Sequence, residues 1–439
     1  MKPKADGSRI FRIRLSSEQK TVIEIKPLHH CNAVIAIPGS KSYTHRALIL
    51  SSLADGESLL THALRCEDTE RTAQGLVNVG VEIFWEGDDV RVLGTGGKLK
   101  GSGDRIDVGN SGTSMRFLTA LAGLKRGVTV LDGNERMRKR PIRELLVGLG
   151  ELGVRAYSQK ENDFPPVVVE SEGLHGGTAR IKGEESSQFL SGLLLVAPYA
   201  QKDVTLQVVG PLASKPYVDI TLAAMSAFGV GIRNQGYRSF FIQAGQRYRP
   251  QRYRVEGDAS NASYFFSAAA VCRGRVEVRN LNPASLQGDF GFLDILERMG
   301  CRVNRGGDWV EVQGGKLHGI EINMNEMPDL VPTLAVTAAF AQGRTVIQNI
   351  GHLRLKESDR IHALATELSK MGVRVDEKKD GLGIEGGRPH GAEIETYDDH
   401  RMAMSFAIAG LAVPGIRILG ERCVDKSFPE FWETLQKLY

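Results

Sequence analysis

The segment LATELSKMGVRV (364–375) carries the pattern that decides the fold of this chain. Its apolar residues recur every three or four positions and so form one face of a helix. Gly372 can adopt the left-handed conformation that ends a helix, and Val373 opens a β-rich stretch. Four further segments repeat the pattern: GLVNVGVEI (75–83), LLVGLGELGVRA (145–156), LAAMSAFGVGI (222–232) and LDILERMGCRV (293–303).

The repeated segments are evenly spaced. The separations are 73, 76, 71 and 72 residues between Gly80, Gly153, Gly229, Gly300 and Gly372. One helix–glycine–strand unit is common in α/β proteins, but a constant period indicates repeated supersecondary units. A sixth helix, FWETLQKL (431–438), lies where the period requires it. The sequence therefore predicts an α/β protein of six units, grouped as two domains of three, since one core rarely serves 439 residues.

Each unit also contains an apolar helix with a polar start. These segments are PGSKSYTHRALILSSLADG (38–56), GNSGTSMRFLTALAG (109–123), SSQFLSGLLLVAP (186–198), DASNASYFFSAAAV (258–271), PDLVPTLAVTAAFAQG (328–343) and DDHRMAMSFAIAGLAV (398–413). Ser, Asn or Asp is predicted at each N-cap, and the scarcity of charge predicts buried helices. Helix N-termini attract anions, and the Lys and Arg residues near these ends favour an anion-binding site over capping alone.

Composition excludes several classes of protein. The 56 basic and 52 acidic residues are interspersed, and a net charge of +4 does not suggest a nucleic-acid binder. No stretch approaches the roughly 20 apolar residues that span a bilayer. The basic segment 1–20 is interpreted as a tail or extra strand and not as a targeting signal. Five cysteines without a C-x-x-C pair suggest a reducing compartment. No metal or nucleotide-cofactor motif is found.

Several polar motifs are candidates for binding anions. Lys41, Ser42 and Arg46 follow a glycine but lack the spacing of a nucleotide-binding phosphate loop, and Arg46 is predicted on the helix face of Ser42. The basic run 136–140 fits either a solvated surface or an active-site loop. Lys356 and Arg360 are predicted to share a helix face. Asp329 is explained equally well as a helix cap or as a functional carboxylate.

Ten motifs together resemble the 5-enolpyruvylshikimate-3-phosphate (EPSP) synthase family. They are PGSKSYTHRAL, GNSGTSMR, RMRKRPI, SSQFLSGLL, SKPYVDITL, VEGDASNASYFF, MPDLVPT, LKESDRI, TYDDHRMAM and DKSFPEFW, in the family's order from residue 38 to residue 432. The resemblance implies two domains of three βαβαββ units each, arranged like an inverse α/β barrel. Residues 1–39 and 257–439 would form one domain, 40–256 the other, with the active site in the cleft between them.

The resemblance also implies a reaction. The enolpyruvyl group of phosphoenolpyruvate would pass to the 5-hydroxyl of shikimate 3-phosphate, by addition and elimination, with release of phosphate. This step belongs to aromatic amino acid (chorismate) biosynthesis and needs no metal or organic cofactor. A cytoplasmic monomer is expected, with no nucleic-acid or membrane partner.

The family's functional residues transfer to matching positions here. Shikimate 3-phosphate would contact Lys41, Ser42, Arg46, Ser186, Ser187, Gln188, Ser214, Tyr217, Asp329 and Lys356. Phosphoenolpyruvate would contact Lys41, Asn110, Gly112, Arg140, Gln188, Arg360, Arg401 and Lys426. Asp329 would accept the proton of the 5-hydroxyl, and Glu357 and Lys41 would transfer protons at the enolpyruvyl carbon.

Two positions depart from the family pattern. Phe117 follows Arg116 where relatives often have proline, and His352 stands where relatives often have an asparagine that contacts the sugar. Gly112 and the Ser-Ser-Gln triplet are typical of glyphosate-sensitive members, so glyphosate is an expected inhibitor.

Two alternative functions remain open at this point. UDP-N-acetylglucosamine enolpyruvyl transferase would share the fold, but that family has Lys-Asn in place of Lys41-Ser42 and usually a cysteine in the loop at 136–141. A non-catalytic phosphate- or RNA-binding repeat protein would not need Asp329 and Glu357, since carboxylates weaken simple anion binding.

Overall fold

The computed structural model describes residues 11–13, 21–101 and 105–439. Twelve helices are described: α1 Lys41–Leu53, α2 Glu67–Asn78, α3 Gly112–Ala122, α4 Arg143–Glu151, α5 Ser187–Val196, α6 Lys215–Ala227, α7 Ala259–Cys272, α8 Gly291–Met299, α9 Val331–Ala339, α10 Arg360–Lys370, α11 His400–Ala412 and α12 Phe431–Gln436. Of the basic N-terminal segment, residues 11–13 form a strand, and the remainder lies outside the described residues.

The described strands number twenty-four. They are β1 Phe11–Ile13, β2 Val22–Ile25, β3 Asn32–Ala36, β4 Asp55–Thr61, β5 Glu82–Glu86, β6 Asp89–Thr95, β7 Arg105–Asp107, β8 Gly127–Asp132, β9 Arg155–Ser158, β10 Val167–Ser171, β11 Gly177–Lys182, β12 Val204–Val209, β13 Arg233–Gln235, β14 Ser239–Ile242, β15 Arg252–Arg254, β16 Arg275–Arg279, β17 Arg302–Arg305, β18 Trp309–Gln313, β19 Glu321–Asn323, β20 Gly343–Gln348, β21 Arg374–Lys378, β22 Gly381–Gly386, β23 Glu393–Glu395 and β24 Ile416–Leu419.

The strands form six four-stranded sheets of one design. In the sheet β7-β8-β10-β9, β7 and β8 are parallel and joined through α3, whereas β9 and β10 add an antiparallel hairpin. A parallel pair requires such a crossover, and a helix usually provides it. The remaining sheets, β11-β12-β14-β13, β15-β4-β6-β5, β17-β18-β16-β3, β19-β20-β22-β21 and β1-β2-β24-β23, have the same order of pairing. The predicted fold class, six βαβαββ repeats, is confirmed.

The chain divides into two compact units by its internal contacts. The discontinuous unit contains residues 1–38 and 257–439, and the continuous unit contains residues 39–256. Gly39 belongs to the continuous unit, one residue away from the boundary expected from the sequence. Its backbone packs so closely on the carbonyl of His62 that a Cβ atom would lie 1.9 Å from that oxygen.

Three sheets belong to each unit, and some strands come from distant parts of the chain. In the discontinuous unit, β3 pairs with β16 in parallel register, with Asn32 opposite Arg275. The whole continuous unit is inserted between these strands. The sixth repeat is completed by β1 and β2, which join β24 and β23. The spacing of motifs along the sequence cannot reveal that strands from the N-terminal end of the chain complete the last repeat.

The apolar helices are buried, as their composition predicts. In the discontinuous unit α7, α9 and α11 pack together. Equivalent hydroxyls of the three helices form a chain of contacts: Ser263 lies 3.3 Å from Thr333, and Thr333 lies 3.4 Å from Ser405. Burial of a hydroxyl requires a partner, and the repeat supplies one from each neighbouring helix. In the continuous unit α3 and α5 pack on each other within a separate apolar core.

The five predicted repeat glycines end α2, α4, α6, α8 and α10, and all five have positive φ angles, between +77° and +110°. This conformation is strained for residues with a Cβ atom. No helix in the described ranges is both long and apolar enough to cross a membrane.

Substitution of two glycines near the end of α4 separates conformational strain from helix propensity. Gly153 has φ +87°, and a Cβ atom there would lie 2.6 Å from the His175 ring. Gly150 lies within the helix, and a Cβ atom there would meet no other atom within 4 Å. We expect Gly153→Ala to lower the free energy of unfolding by about 1–2 kcal/mol. Gly150→Ala should raise it by about 0.5–1 kcal/mol.

Urea denaturation of both variants beside the wild type measures these changes. Changes of the same sign in the two variants would contradict the assigned helix end.

Candidate active site

Polar side chains begin most of the buried helices. In α3 the Ser111 hydroxyl accepts from the Ser114 amide, and in α5 Ser186 accepts from the Gln188 amide. In α7 and α11 the caps are Asp258 and Asp399. Two of the six predicted caps are not formed by side chains. Ser40 makes no capping bond with α1, and Leu330, not Asp329, precedes α9.

Lys41 lies in the first turn of α1 and forms an ion pair. Its Nζ is 2.8 Å from Oδ2 of Asp68, a largely buried carboxylate of α2. Asp68 belongs to no motif that begins a buried helix, so no pattern in the sequence indicated it. The pair holds the ammonium group of Lys41 at the N-terminal end of α1, where a second negative group would be favoured.

Arg46 is buried in α1 among neutral oxygens. Its guanidinium donates to Oγ1 of Thr221 at 2.7 Å and to the carbonyls of Ser42 and Tyr217 at 2.8 Å each. The contact with Ser42 confirms that both lie on one helix face. Burial lowers the pKa of Arg46 to about 10. Within the described residues no carboxylate forms an ion pair with Arg46, so an anionic ligand would stabilise its charge.

Phe117 occupies the position where the family often has proline. Helix α3 continues without interruption from Gly112 to Ala122, and Phe117 is buried within it. The guanidinium of Arg46 lies 5.3 Å from the centroid of the Phe117 ring. Phe117 therefore makes a cation–π contact with Arg46, a candidate substrate-binding residue.

Arg140, Asn110, Gly112 and Gln188 lie around the start of α3. Arg140 is buried and donates to the Asn110 carbonyl at 3.2 Å. A Cβ atom on Gly112 would lie 2.4 Å from Nη2 of Arg140, so any larger residue there would displace the guanidinium. Nε2 of Gln188 donates to Oγ1 of Thr113 at 3.1 Å, which joins the starts of α5 and α3.

The basic run 136–140 divides between two environments. Arg138 binds the Asp132 carboxylate through two hydrogen bonds of 2.9 and 2.7 Å, and it remains partly exposed. Arg140, two residues further, is buried beside Gly112. The run is therefore solvated in one part and packed against the start of α3 in the other.

Ser214 begins α6 in a left-handed conformation, with φ 56° and ψ 48°. Such a conformation is uncommon for serine and recurs at functional sites. The Tyr217 amide donates to the Ser214 carbonyl, and the Tyr217 carbonyl in turn accepts from Arg46. Ser186 and Ser187 begin α5, which is bonded to α6 through Ser191 and Thr221.

In the discontinuous unit, Asp329 is held between two arginines. Its Oδ1 accepts from Nη1 of Arg360 at 3.1 Å, and its Oδ2 accepts from Nη2 of Arg401 at 2.8 Å. Burial acts to raise the pKa of Asp329, but Arg401, Arg360 and Lys356 outweigh it and hold the pKa well below its usual range. Asp329 is thus an ionised carboxylate between two arginines and not the cap of α9.

Arg360 is the most buried of the candidate cations, with 1% of its side chain exposed. It donates to three carboxylates: Asp399 at 2.8 and 3.1 Å, Glu357 at 2.9 Å and Asp329 at 3.1 Å. Burial alone would lower the pKa of Arg360, but the three carboxylates raise it above its ordinary value. The guanidinium consequently fixes the positions of Asp329 and Glu357 relative to each other.

Asp399 lies in one of the ten motifs but is not among the predicted functional residues. It is fully buried and accepts from Arg360, from the Ser358 hydroxyl at 2.9 Å and from the Arg401 amide at 3.0 Å. Arg401 also donates to the Tyr264 hydroxyl at 3.2 Å. Asp399 therefore joins the first turns of α10 and α11. Its position as the N-cap of an apolar helix was the available signal.

Lys356 does not share a helix face with Arg360, contrary to the sequence prediction. Arg360 is the first residue of α10, whereas Lys356 follows the separate 3-10 helix Gly351–Leu355. Asp359, the N-cap of α10, separates this helix from the preceding 3-10 helix. Lys426 is the last residue of another 3-10 helix, Glu421–Lys426, which packs on α11, and it is buried.

His352 lies in the 3-10 helix that precedes Lys356. Burial first, and then the positive charge of Lys356, lowers the pKa of His352 to about 4. Its Nε2 atom is buried and has no hydrogen-bond partner among the described residues. A neutral imidazole can donate or accept there, as an amide could.

The converging carboxylates of this site bind arginines. Within the described part of the chain, no group of three or more His, Cys, Asp or Glu side chains could hold a metal ion.

Comparison with known proteins identifies the family. A family model described as EPSP synthase (3-phosphoshikimate 1-carboxyvinyltransferase) matches residues 25–435. The chain belongs to the EPSP synthase family. This membership confirms the family predicted from the ten motifs and the enzyme class, a transferase.

Individual relatives of this family match along nearly their whole length. The 3-phosphoshikimate 1-carboxyvinyltransferase of Nostoc punctiforme is 46% identical over 414 residues, which cover 93% of this chain and 97% of the relative. The protein of that name from Methanoculleus marisnigri is 45% identical over 416 residues, covering 94% and 98%. A solved structure of EPSP synthase from Acinetobacter baumannii, 29% identical, superposes with a TM-score of 0.79 over 95% of this chain and 98% of that chain.

The charge arrangement around Asp329 predicts a contribution to acid stability. A carboxylate with a lowered pKa in the folded state stabilises the fold above its unfolded pKa of about 3.9, and this stabilisation is lost as the pH falls toward the folded pKa. Between pH 5 and pH 3 the wild type should therefore lose about 1 kcal/mol more unfolding free energy than Asp329→Asn.

Urea denaturation of both proteins at the two pH values gives this difference. Asp376→Asn, which removes an exposed carboxylate paired with Arg344, is the control and should behave like the wild type. Equal losses in wild type and Asp329→Asn would contradict the assigned ionisation.

Proposed function

We propose that this protein transfers the enolpyruvyl group of phosphoenolpyruvate to the 5-hydroxyl of shikimate 3-phosphate and releases phosphate. Its relatives carry the name 3-phosphoshikimate 1-carboxyvinyltransferase, and they match more than nine-tenths of the chain. The observation that supports the proposal most directly is the Asp329 carboxylate, which is bound by Arg360 and Arg401 at the starts of α10 and α11.

Both proposed substrates are polyanions, and the candidate residues suit them. Arginine binds carboxylates and phosphates through paired hydrogen bonds, and such bonds are stronger than neutral ones. Buried arginines such as Arg46 and Arg140 avoid competition from solvent. Helix N-termini add amide donors and a partial positive charge.

Shikimate 3-phosphate is assigned to the residues around Arg46. Because the protein partners of the Arg46 guanidinium are neutral, its positive charge would bind the anionic substrate. Phe117 and Thr221 fix the orientation of this guanidinium. The full set in the proposal is Lys41, Ser42, Arg46, Ser186, Ser187, Gln188, Ser214, Tyr217, Asp329 and Lys356. His352, a neutral hydrogen-bonding group beside Lys356, would replace the asparagine of relatives.

Phosphoenolpyruvate is assigned to the residues around Arg140, Arg360 and Arg401. The full set in the proposal is Lys41, Asn110, Gly112, Arg140, Gln188, Arg360, Arg401 and Lys426. These residues and those for shikimate 3-phosphate come from both units. Their assignment to the two substrates of one reaction is part of the proposal.

The chemistry requires a base for the 5-hydroxyl and a proton for the enolpyruvyl methylene. Asp329 is ionised and so suits the base. As it accepts the hydroxyl proton, the oxygen bonds to the central carbon of phosphoenolpyruvate, and the methylene becomes a methyl group by gaining a proton. Loss of a methyl proton and of phosphate then restores the double bond. Glu357 and Lys41 are proposed for the proton transfers at that carbon.

The proposal extends to the setting of the enzyme. All five cysteines are unpaired, which fits a reducing compartment such as the cytoplasm. We place the activity in a cytoplasmic monomer in aromatic amino acid biosynthesis. Glyphosate is proposed to compete with phosphoenolpyruvate, since Gly112 leaves the Arg140 guanidinium unobstructed.

The acceptor distinguishes this function from its closest alternative. Purified protein with phosphoenolpyruvate should release phosphate when shikimate 3-phosphate is present, and glyphosate should inhibit this release. UDP-N-acetylglucosamine should not support it. Phosphate release only with the nucleotide sugar, or with neither acceptor, would refute the proposal.

Replacement of Asp329 tests its role as the base. Asp329→Asn keeps the size of the side chain but cannot accept the proton, so turnover should fall by about 10²–10⁴-fold. Steady-state phosphate release measures kcat, with Asp376→Asn as a control at an exposed carboxylate of the same unit. A kcat within threefold of the wild type would remove Asp329 from the mechanism.

A further inference from the structure

Tyr397 and Asp398 form an unusual turn directly before Asp399. Both have φ angles in the left-handed region, 54° and 55°, although neither is glycine. This turn leads from β23 into α11. Two successive left-handed non-glycine residues persist only where surrounding contacts hold them. Contacts with other parts of the chain must therefore stabilise this turn.

Contacts that hold the turn come in part from Glu367, two helical turns into α10. Glu367 is fully buried, and its Oε1 accepts from the Tyr397 hydroxyl at 2.7 Å. Its Oε2 accepts from the Glu395 amide at 3.1 Å and from Nζ of Lys370 at 2.7 Å. The Tyr397 amide donates to Oε1 of Glu395 at 3.2 Å. Hydrogen bonds to Glu367 thus connect the strained turn to α10.

The turn determines where Asp399 lies. The Asp399 amide donates to the Thr396 carbonyl at 2.9 Å, so the residues between them form a closed loop. Asp399 then binds Arg360 at the start of α10 and the Arg401 amide at the start of α11. A shift of Tyr397 would move Asp399 and, through it, both arginines.

We propose that Tyr397 and Glu367 are positioning residues for phosphoenolpyruvate: their hydrogen bond fixes the turn that places Asp399, and Asp399 sets the orientation of Arg360 and Arg401. The inference rests on the proposed function, in which these two arginines bind phosphoenolpyruvate. Neither Tyr397 nor Glu367 contacts a residue assigned to shikimate 3-phosphate in the described structure. Asp329, which both arginines bind, is assigned to shikimate 3-phosphate, whereas the two guanidinium groups themselves are assigned to phosphoenolpyruvate. The bond should therefore affect phosphoenolpyruvate more strongly than shikimate 3-phosphate.

The selectivity has a physical basis. Glu367 and Tyr397 reach the guanidinium groups only through the turn and Asp399, and the hydroxyl of Tyr397 remains a donor because burial and Glu367 raise its pKa well above the ordinary value. Outer contacts of this kind orient binding groups, and their loss weakens ligand affinity without removal of any direct contact. A general loss of stability would instead affect both substrates.

Tyr397→Phe removes the hydroxyl and keeps the ring. The KM for phosphoenolpyruvate should rise about tenfold, the effect of one hydrogen bond to a charged group, while the KM for shikimate 3-phosphate stays within twofold of the wild type. Glu367→Gln should shift the same constant in the same direction. The matched control is Tyr157→Phe, because Tyr157 also donates to a glutamate, Glu170 at 2.8 Å, but at the exposed surface of the continuous unit.

Steady-state kinetics with each substrate varied, and thermal unfolding of each variant, complete the test. An unchanged KM for phosphoenolpyruvate in Tyr397→Phe, or equal rises for both substrates together with a lower unfolding temperature, would overturn the inference while the wild-type activity still supports the proposed function. Absence of phosphate release in the wild type would instead refute the function, and the positioning inference with it.

Discussion

The buried guanidinium of Arg360 connects three carboxylates that would otherwise repel one another. Removal of an ion from water costs several kcal/mol, and only close opposite charges with good geometry offset that cost. Asp399 supplies two hydrogen bonds, and Glu357 and Asp329 supply one each. Asp329 therefore lies between Arg360 and Arg401 as an ionised group, and the start of α11 is tied to the start of α10.

In the continuous unit, the buried cation Arg46 has a different environment. Arg46 is surrounded by two carbonyls, a hydroxyl and an aromatic ring, and burial lowers its pKa. A cation whose protein partners are neutral gains most from an anionic ligand, whereas Arg360 is already compensated. The two environments suggest different tasks: Arg46 would bind substrate charge, and Arg360 would both bind and organise the reacting groups.

The repeat explains how such sites arise from ordinary units. Each βαβαββ unit buries one helix, and in the discontinuous unit the equivalent hydroxyls of Ser263, Thr333 and Ser405 meet where three units join. In five of the six units a glycine with a positive φ ends the outer helix, so the chain can turn sharply into the next strand. Local sequence is therefore consistent with the fold in these five units.

The period of the glycines and the apolar helices was sufficient to predict the six units, because helix periodicity and left-handed glycine are local properties. The closure of the sixth unit by β1 and β2, and the pairing of β3 with β16 across the inserted unit, were not local and became clear only in the structure.

The candidate site divides in the same way. The resemblance of the motifs to the family indicated the cations Lys41, Arg46, Arg140, Arg360 and Arg401, and two of them, Lys41 and Arg401, lie in the first turns of apolar helices. The motifs could not reveal the partners Asp68 and Asp399, or the support of Asp399 by Glu367 and Tyr397, because these contacts join helices and turns that are separate in the sequence. The spacing of Lys356 and Arg360 predicts one helix face, but Lys356 precedes α10, because Asp359 caps the helix between them.

The sequence by itself determined the repeated unit and the kinds of charge that it carries. Only tertiary structure decided which charges compensate each other, since that depends on distances between elements and on the exclusion of water around them.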